Sequence, residues 1–316
     1  MAETAAQFAK LVRSELGKVV VGQNQVLDEL VAVLLAGGHV LLEGVPGIAK
    51  TLAVKALASL CRLEFARIQC TPDLMPGDIV GVNVYNTAAG TFTFRRGPVF
   101  TDLLLVDEIN RMPPRSQAAL LECMEEKQVT LDGTRYPLSD FFTAIATQNP
   151  VEFEGTYPLP EAQLDRFLAK IRITYPGADD EVEILNRYQN GFDPRDLASA
   201  GLNAIETEML TAARKDAQAT KVEATLFRYI GLIVRRSRDW PALSLGGSPR
   251  ASVAILLMAK SLAAIDGRDY LVPDDVKLAA PPVLRHRLMV KPEADLEGIT
   301  PDRVVSEILS VVEVPK

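Results

Sequence analysis

The segment GVPGIAKT, residues 44–51, contains residue types that can hold a chain of phosphates. In the nucleotide-binding pattern G-x-x-x-x-G-K-[ST], backbone N–H groups surround the phosphates, the lysine adds a positive charge and the hydroxyl binds Mg²⁺. This chain ends the pattern with Lys50 and Thr51, but it has Ala49 where the second glycine is usual. The extra methyl group costs little free energy if residue 49 has helical backbone angles.

We therefore predict a phosphate loop that leads into a helix beginning near Lys50. The alternative is an ordinary glycine-rich turn in which the lysine is simply solvated. The residues of this segment predicted to contact the nucleotide are Gly44, Val45, Pro46, Gly47, Ile48, Ala49, Lys50, Thr51 and Leu52.

Acidic and amide side chains follow two other apolar runs. In LLLVDEIN the run ends at Asp107 and Glu108, and in ATQNP the next run is followed by Asn149. Ligands of open parallel sheets bind at the carboxyl ends of the strands. We expect Asp107 to hold Mg²⁺, Glu108 to deprotonate the attacking water and Asn149 to orient that water. The alternatives are a solvated acidic turn and a turn-forming asparagine before Pro150.

Two arginines lie in segments that could place them near an anion. In GGSPRA, Ser248 and Pro249 are typical of a helix start, so Arg250 would strengthen the preference of that helix end for anions. In EAQLDRF, Arg166 lies on a predicted helix before the last strand. The alternatives are a solvated Arg250 and an Arg166 engaged in a surface ion pair with a partner such as Asp165, worth about 0–1 kcal/mol.

Short apolar runs alternate with helical patterns up to about residue 175, which predicts a parallel sheet flanked by helices. Their nearly continuous apolar character fits strands buried on both faces. The predicted strands are HVLLEG (39–44), FARIQC (65–70), DLLLVDE (102–108), FFTAIATQ (141–148) and LAKIRITY (168–175).

The turn sequence Tyr175-Pro176-Gly177 separates this α/β region from a second region that reads as helices. We predict a nucleotide-binding domain over residues 1–176 and an all-α domain over 177–316. Two insertions interrupt the first domain, at about 74–100 and 128–138. In the second insertion Asp132-Gly133 is a strong signal for a type I′ hairpin turn.

Composition excludes several classes of protein. The chain has 316 residues and a formal net charge of −7, which disfavours nucleic acid as the default partner. It has three cysteines, which read as buried hydrophobic residues, and only two histidines, which argues against a multi-histidine metal site. The N-terminus lacks the apolar core of a signal peptide, and no apolar run is long enough for a membrane span. We expect a cytoplasmic protein.

GVPGIAKT, LLLVDEIN, ATQNP, PLPEAQLDRF and GGSPRA, in this order, resemble the MoxR family of AAA+ ATPases over about residues 17–290. The resemblance implies that Lys50 and Thr51 belong to Walker A, Asp107 and Glu108 to Walker B, and that Asn149 is sensor 1. It also implies that Arg166 is an arginine finger for a neighbouring subunit and that Arg250 is sensor 2, coupling the helical lid to the γ-phosphate. Gly22 and Gln23, in VVVGQ, would lie nearest the adenine.

The resemblance further implies ATP and Mg²⁺ as cofactors, a homo-oligomeric, hexameric ring, and a partner with a von Willebrand A domain. The first hypothesis for function is an ATP-driven chaperone that remodels or activates proteins, with metal insertion or complex maturation as examples. A magnesium-chelatase-like subunit, an ATP-driven nucleic-acid motor and a nucleotide-dependent scaffold are the alternatives. A motor would need a basic pore, which Arg95, Arg96, Lys127 and Arg135 could supply.

Overall fold

The secondary structure follows the predicted alternation closely. The computed structural model describes residues 3–45, 47, 50–88, 90–149, 155–197 and 199–315. The strands are β1 (Val40–Glu43), β2 (Phe65–Gln69), β3 (Gly81–Asn86), β4 (Thr91–Arg96), β5 (Leu103–Asp107), β6 (Gln128–Leu131), β7 (Thr134–Pro137), β8 (Thr143–Gln148), β9 (Ala169–Arg172), β10 (Leu243–Leu245) and β11 (Met289–Val290).

The helices alternate with these strands in the first region and dominate the second. They are α1 (Glu3–Leu16), α2 (Asn24–Ala36), α3 (Lys50–Leu60), α4 (Pro76–Val80), α5 (Pro114–Glu126), α6 (Glu161–Leu164), α7 (Ala178–Gln189), α8 (Thr207–Ala219), α9 (Ala224–Arg238), α10 (Pro249–Ile265), α11 (Pro273–Leu284), α12 (Pro292–Leu296) and α13 (Pro301–Val311). A short 3-10 helix, Ile109–Arg111, follows β5.

The five predicted strands form one parallel sheet in the order β2–β5–β8–β1–β9. Strand β5 shows why its sequence is continuously apolar. Successive side chains of a strand point to opposite faces, so Leu103 and Leu105 join one hydrophobic core whereas Leu104 and Val106 join the other. The prediction of a sheet buried on both faces is confirmed. The carboxyl ends of all five strands lie at one edge.

One of the two cores is shared between the N-terminal helices and the second region. Helices α1 and α2 pack against α8 and α10, and α11 packs against β9. The division at residue 176 stays a prediction, and an extensive apolar contact crosses it. The three cysteines are buried and unpaired.

The second region is helical, as predicted, but it is not purely α. Strands β10 and β11 form a short antiparallel pair in which Leu243 lies opposite Val290. A pair this short has no periodicity that the sequence could reveal, so the prediction of an all-α region missed it.

Both insertions form hairpins. The first contains α4 and the pair β3–β4, and the second is the pair β6–β7. Asp132 and Gly133 both have positive φ, as the predicted type I′ turn requires. Asn83 donates a hydrogen bond of 2.6 Å to Asp132, and the rings of Phe94 and Tyr136 stack at 4.4 Å. These contacts tie the two hairpins into one projecting body.

Candidate functional site

Gly44, Gly47 and Lys50 follow β1 at the carboxyl edge of the sheet, where Lys50 begins α3. Gly47 has a φ of +85°, which a glycine adopts without steric cost. The Lys50 ammonium lies over the loop and donates to the carbonyl of Gly44 at 2.6 Å. Burial lowers the pKa of Lys50, while the carboxylates of Asp107, Glu108 and Glu43 counteract this effect. Pro46, Ile48 and Ala49 lie outside the described residues.

Asp107 ends β5 and is held by two neighbouring strands. The Thr147 hydroxyl of β8 donates to its Oδ1 at 2.6 Å, and the Arg67 guanidinium of β2 donates to its Oδ2 at 2.7 Å. Arg67 is not among the residues that the sequence pattern indicated. The guanidinium shows that this carboxylate can attract a cation.

Glu108 follows with a φ of +57°, a left-handed conformation that is uncommon for residues other than glycine. Its N–H donates to the Thr147 hydroxyl at 2.9 Å, which fixes the backbone in this conformation. Its carboxylate pairs with Arg111 at 3.1 Å and accepts from the Gln69 amide at 3.3 Å. The catalytic carboxylate predicted from the sequence is thus engaged by two polar side chains in this structure.

A cavity of about 420 Å³ joins these groups, and we call it the phosphate cavity. Asn149, which is buried, also lines it. The cavity therefore brings together three of the five sequence segments that were expected to converge. Its lining includes Gly47, Lys50, Thr51, Leu52, Asp107, Glu108, Thr147, Asn149 and Tyr188.

A second cavity of about 320 Å³, the apolar cavity, shares Gly47, Leu52 and Tyr188 with the first. Gln23 lines it and donates to the carbonyl of Thr174 at 3.0 Å. Gly22 lies beside this cavity but does not line it. A Cβ on Gly22 would come within 2.3 Å of Asp180, so the glycine is needed for the close approach of α7.

Helix α7 supplies apolar cavity residues that the sequence analysis missed. Ile184 and Tyr188 are four residues apart and so lie on one face of the helix, and Tyr175 precedes it. The spacing of Ile184 and Tyr188 was the available signal. A cavity that joins an apolar end to a lysine, a threonine and carboxylates can hold a nucleotide with its base in the first part and its phosphates in the second.

Arg166 and Arg250 do not line either cavity of their own chain. Both contact Glu125 at the end of α5: Arg250 donates to Oε1 at 2.7 Å, and Arg166 forms an ion pair with Oε2. We call Arg166, Arg250 and Glu125 the arginine cluster. Helix α10 packs on α2, α8 and α11, and this packing places its first turn beside α5. The expected ion-pair partner of Arg166, Asp165, is instead bound by Arg287.

Comparison with known proteins identifies the family. Residues 39–169 match the model of the ATPase family associated with various cellular activities (AAA), and residues 235–308 match the AAA lid domain. The chain is 42% identical to Chaperone MoxR1 of Mycobacterium tuberculosis over 99% of this chain and 84% of that protein. The chain belongs to the MoxR family of AAA+ ATPases.

Two further similarities extend over nearly the whole of this chain. The chain is 30% identical to Protein MoxR of Methylorubrum extorquens, with 99% of this chain and 96% of that protein aligned. A crystal structure of a candidate ATPase from Cytophaga hutchinsonii superimposes with a TM-score of 0.88 and 41% identity, covering 99% and 98% of the two chains. The predicted family and the α/β fold with a helical lid are confirmed.

The residues of the phosphate cavity fit the Mg²⁺ that MoxR-family proteins are expected to use. The Thr51 hydroxyl and the Asp107 carboxylate are oxygen donors that line the same cavity, and Mg²⁺ prefers oxygen ligands. Within the described residues, no helix is both long and apolar enough to cross a membrane.

Proposed function

We propose that this chain hydrolyses ATP in a ring-shaped, hexameric homo-oligomer and uses the energy to remodel or activate partner proteins. One observation carries the proposal. Lys50, Asp107 and Glu108 line one cavity, whereas Arg166 and Arg250 meet at a separate place on Glu125. A single chain thus presents two joined cavities that neither Arg166 nor Arg250 lines, and an arginine cluster outside both cavities. Two copies side by side would supply both halves.

ATP binding uses the two joined cavities. Gln23 and Tyr188 contact the adenine in the apolar cavity, with Gly22 allowing α7 to close beside it. Lys50 exchanges the Gly44 carbonyl for the β- and γ-phosphates, because a charged acceptor makes the stronger hydrogen bond. The N-terminus of α3 favours the phosphate charge. The loop residues Val45, Pro46, Gly47, Ile48, Ala49, Thr51 and Leu52 complete the contacts proposed from the sequence.

Hydrolysis uses the carboxyl ends of β5 and β8. Thr51 and Asp107 would hold Mg²⁺, which would supply charge neutralisation for the transferred phosphoryl group. Glu108 accepts the proton of the attacking water, and Asn149 orients that water. Before the Glu108 carboxylate can accept this proton, it exchanges its contacts with Arg111 and Gln69 for a contact with the water. The present arrangement is therefore a resting one.

Arg166 and Arg250 act on the nucleotide of the neighbouring subunit. The Arg250 side chain is 58% exposed and that of Arg166 is 30% exposed, so another molecule can reach Arg250 fully and Arg166 in part. An arginine finger supplied in trans accelerates phosphoryl transfer by about 10³–10⁵-fold. The trans role of Arg166 is the one expected from the sequence. For Arg250 the sequence expectation was coupling of the lid to the γ-phosphate, with no subunit specified.

A subunit-mixing experiment tests the proposal. Arg166→Ala chains keep an intact cavity, and Glu108→Gln chains keep an intact arginine cluster. Each variant alone should have very low ATPase activity. If the two chains mix at random in a closed ring, about a quarter of the interfaces combine a working cavity with a working arginine, and a matching share of activity should return. The proposal would be contradicted if Arg166→Ala alone kept its ATPase activity, or if mixing the two variants restored none.

The projecting hairpins are the proposed contact with the client. Tyr85 and Phe92 stack at 5.2 Å near the tip of β3–β4, and Phe92 is 70% exposed. Exposed aromatic side chains of this kind bind other proteins. The client is unknown, and a von Willebrand A domain protein is the proposed partner. A pull-down with Glu108→Gln, which holds the ATP state, should enrich a client that Glu108→Gln/Phe92→Ala does not.

The remaining proposals follow from the family. The chain functions in the cytoplasm, with a nucleotide-binding domain over residues 1–176 and a lid over 177–316. The acidic net charge of −7 disfavours nucleic acid as a partner.

A further inference from the structure

Asp165 lies immediately before Arg166 in the chain and receives hydrogen bonds from two distant segments. The Arg287 Nε donates to its Oδ1 at 2.6 Å, and the Ser248 hydroxyl donates to its Oδ2 at 2.9 Å. Ser248 is the residue before α10, two positions from Arg250. The Asp165 carboxylate therefore connects the segment that carries Arg166 to the start of the helix that carries Arg250.

Arg287 also donates hydrogen bonds to backbone carbonyls on both sides of Arg166. Its Nη2 donates to the carbonyls of Asp165 and Phe167 at 3.1 and 2.6 Å, and its Nη1 donates to Leu168 at 3.1 Å. The side chain is only 4% exposed. The planar guanidinium has five N–H donors in a fixed geometry, so this many contacts leave the segment 165–168 little freedom.

We propose that Asp165, held by Arg287 and Ser248, is a positioning residue that sets Arg166 and Arg250 as one unit toward the nucleotide of a neighbouring subunit. The proposal rests on the proposed function, because it needs the arginines to act in trans. It adds a physical link between the turn that carries Arg166 and the helix that carries Arg250. Without that link the two guanidinium groups would approach the phosphates independently, and misplacement by about 1 Å can cost about 10²-fold in rate.

The Arg268–Asp275 ion pair, in the second region, is the control for a purely structural role of the Arg287–Asp165 contacts. Arg268 forms a bidentate ion pair with Asp275 at 2.6 and 2.7 Å, and the Asp275 side chain is 2% exposed. Neither residue lines the phosphate cavity or the apolar cavity, and neither belongs to the arginine cluster. Asp165→Ala leaves the buried Arg287 guanidinium without its carboxylate partner, whereas Asp275→Ala leaves Arg268 paired with Asp266 alone at 3.2 Å. Both changes should destabilise the chain. Only the change at Asp165 should disturb catalysis in trans.

The experiment compares Asp165→Ala with Asp275→Ala in the full-length chain. We expect Asp165→Ala to lower kcat by about 10–100-fold with little change in KM, because the nucleotide cavity is untouched. Mixing it with Glu108→Gln, which supplies correctly placed arginines, should restore about a quarter of the wild-type rate, as for random pairing in a closed ring. Asp275→Ala should keep the wild-type kcat. If Asp165→Ala does not fold, Ser248→Ala removes only one hydrogen bond and should show a smaller loss of kcat. An equal mixture of Ser248→Ala with Glu108→Gln should then exceed half of the rate of Ser248→Ala alone, which is the rate that dilution without exchange of arginines would give.

The outcomes separate the two proposals. If Arg166→Ala recovers on mixing but Asp165→Ala has wild-type kcat, or fails to recover on mixing, the positioning role is wrong and the proposed function stands. An equal loss of kcat in Asp275→Ala would likewise make the role of Asp165 merely structural. If Arg166→Ala itself does not recover, the trans arrangement fails and the positioning role falls with it.

Discussion

The phosphate cavity and the arginine cluster are built in different ways. The cavity takes its residues from the ends of β1, β5 and β8, three adjacent central strands, so hydrogen-bonded register fixes their spacing. The cluster takes one residue each from α5, the turn after α6 and the first turn of α10. Its geometry depends on helix packing and side-chain contacts. The comparison indicates that one chain carries a cavity positioned by the sheet and a separate, more exposed arginine cluster positioned by helix packing.

The two places are nevertheless joined through the end of α5. The buried His39, just before β1, bonds through Nε2 to the carbonyl of Met124 at 3.0 Å, and its Nδ1 accepts from the N–H of Ala144 at 2.9 Å. Met124 is next to Glu125 in the chain. His39 thus links the sheet that forms the cavity to the helix that carries the cluster.

The largest expected effect separates binding from turnover. Arg166→Ala should leave the affinity for ATP within about threefold of wild type, because Arg166 does not line the cavity, while turnover falls by about 10³–10⁵-fold, or roughly 4–7 kcal/mol in barrier height. Binding of a fluorescent ATP analogue and steady-state hydrolysis measure the two quantities. Arg303→Ala, which removes a surface ion pair with Glu307, is the control and should change neither. A parallel loss of affinity in Arg166→Ala would place this arginine in its own chain's site.

The second effect tests the link through His39. Burial lowers the pKa of His39 to about 4, and the unfolded chain has the ordinary value of 6.5. Between these values the unfolded chain binds the extra proton, so the free energy of unfolding is highest above pH 6.5 and falls as pH approaches 4. The shift corresponds to a loss of about 3 kcal/mol. Urea unfolding of wild type and His39→Gln from pH 7 to 4 measures it.

The difference between those two profiles isolates His39, because His286 titrates in both proteins. The His286 pKa is also held well below its ordinary value by burial. His39→Gln should therefore show a shallower decline than wild type. Parallel profiles would mean that His39 does not contribute to the acid sensitivity.

A smaller effect concerns the cation beside Asp107. Arg67 occupies Oδ2 of the carboxylate that is proposed to bind Mg²⁺. Because this ion pair is partly exposed and worth up to about 1 kcal/mol, Arg67→Ala should lower the Mg²⁺ concentration for half-maximal ATPase activity by up to about fivefold. A Mg²⁺ titration measures it, with Arg62→Ala, which loses an exposed pair with Glu206, as the control. A higher Mg²⁺ requirement would show that Arg67 supports the site instead.

The sequence indicated the convergence of the phosphate cavity residues better than the position of the arginine cluster. Lys50, Asp107 and Asn149 each follow an apolar run, and parallel strands bring such positions to one edge regardless of their order. The position of Arg250 depended on the direction of a whole helix, which local pattern does not determine. The order of the strands was also beyond the pattern, so Arg67 and Gln69 were missed although β2 places Gln69 directly opposite Asp107.

The same distinction holds for the rest of the fold. Asp132-Gly133 could be predicted because two successive residues with positive φ impose their own turn. Helix α7 was predicted, but its place over the apolar cavity was not, because none of its side chains is fully buried. Partial burial leaves a weak periodic signal, so Ile184 and Tyr188 read as ordinary surface residues.

The smallest effect compares backbone strain at the two places. Glu108 beside the cavity and Lys127 beside the cluster both have positive φ, at 57° and 50°. Glycine adopts this conformation without steric cost, so Lys127→Gly, at the C-cap of α5, should stabilise the fold by about 0.5–1 kcal/mol and leave ATPase activity unchanged. Glu108→Gly should give a similar gain in stability but abolish turnover, because strain at functional sites is retained for its chemistry. Thermal unfolding and hydrolysis rates measured on both variants test this, and a destabilised Glu108→Gly would show that its contacts with Arg111 and Gln69 outweigh the strain.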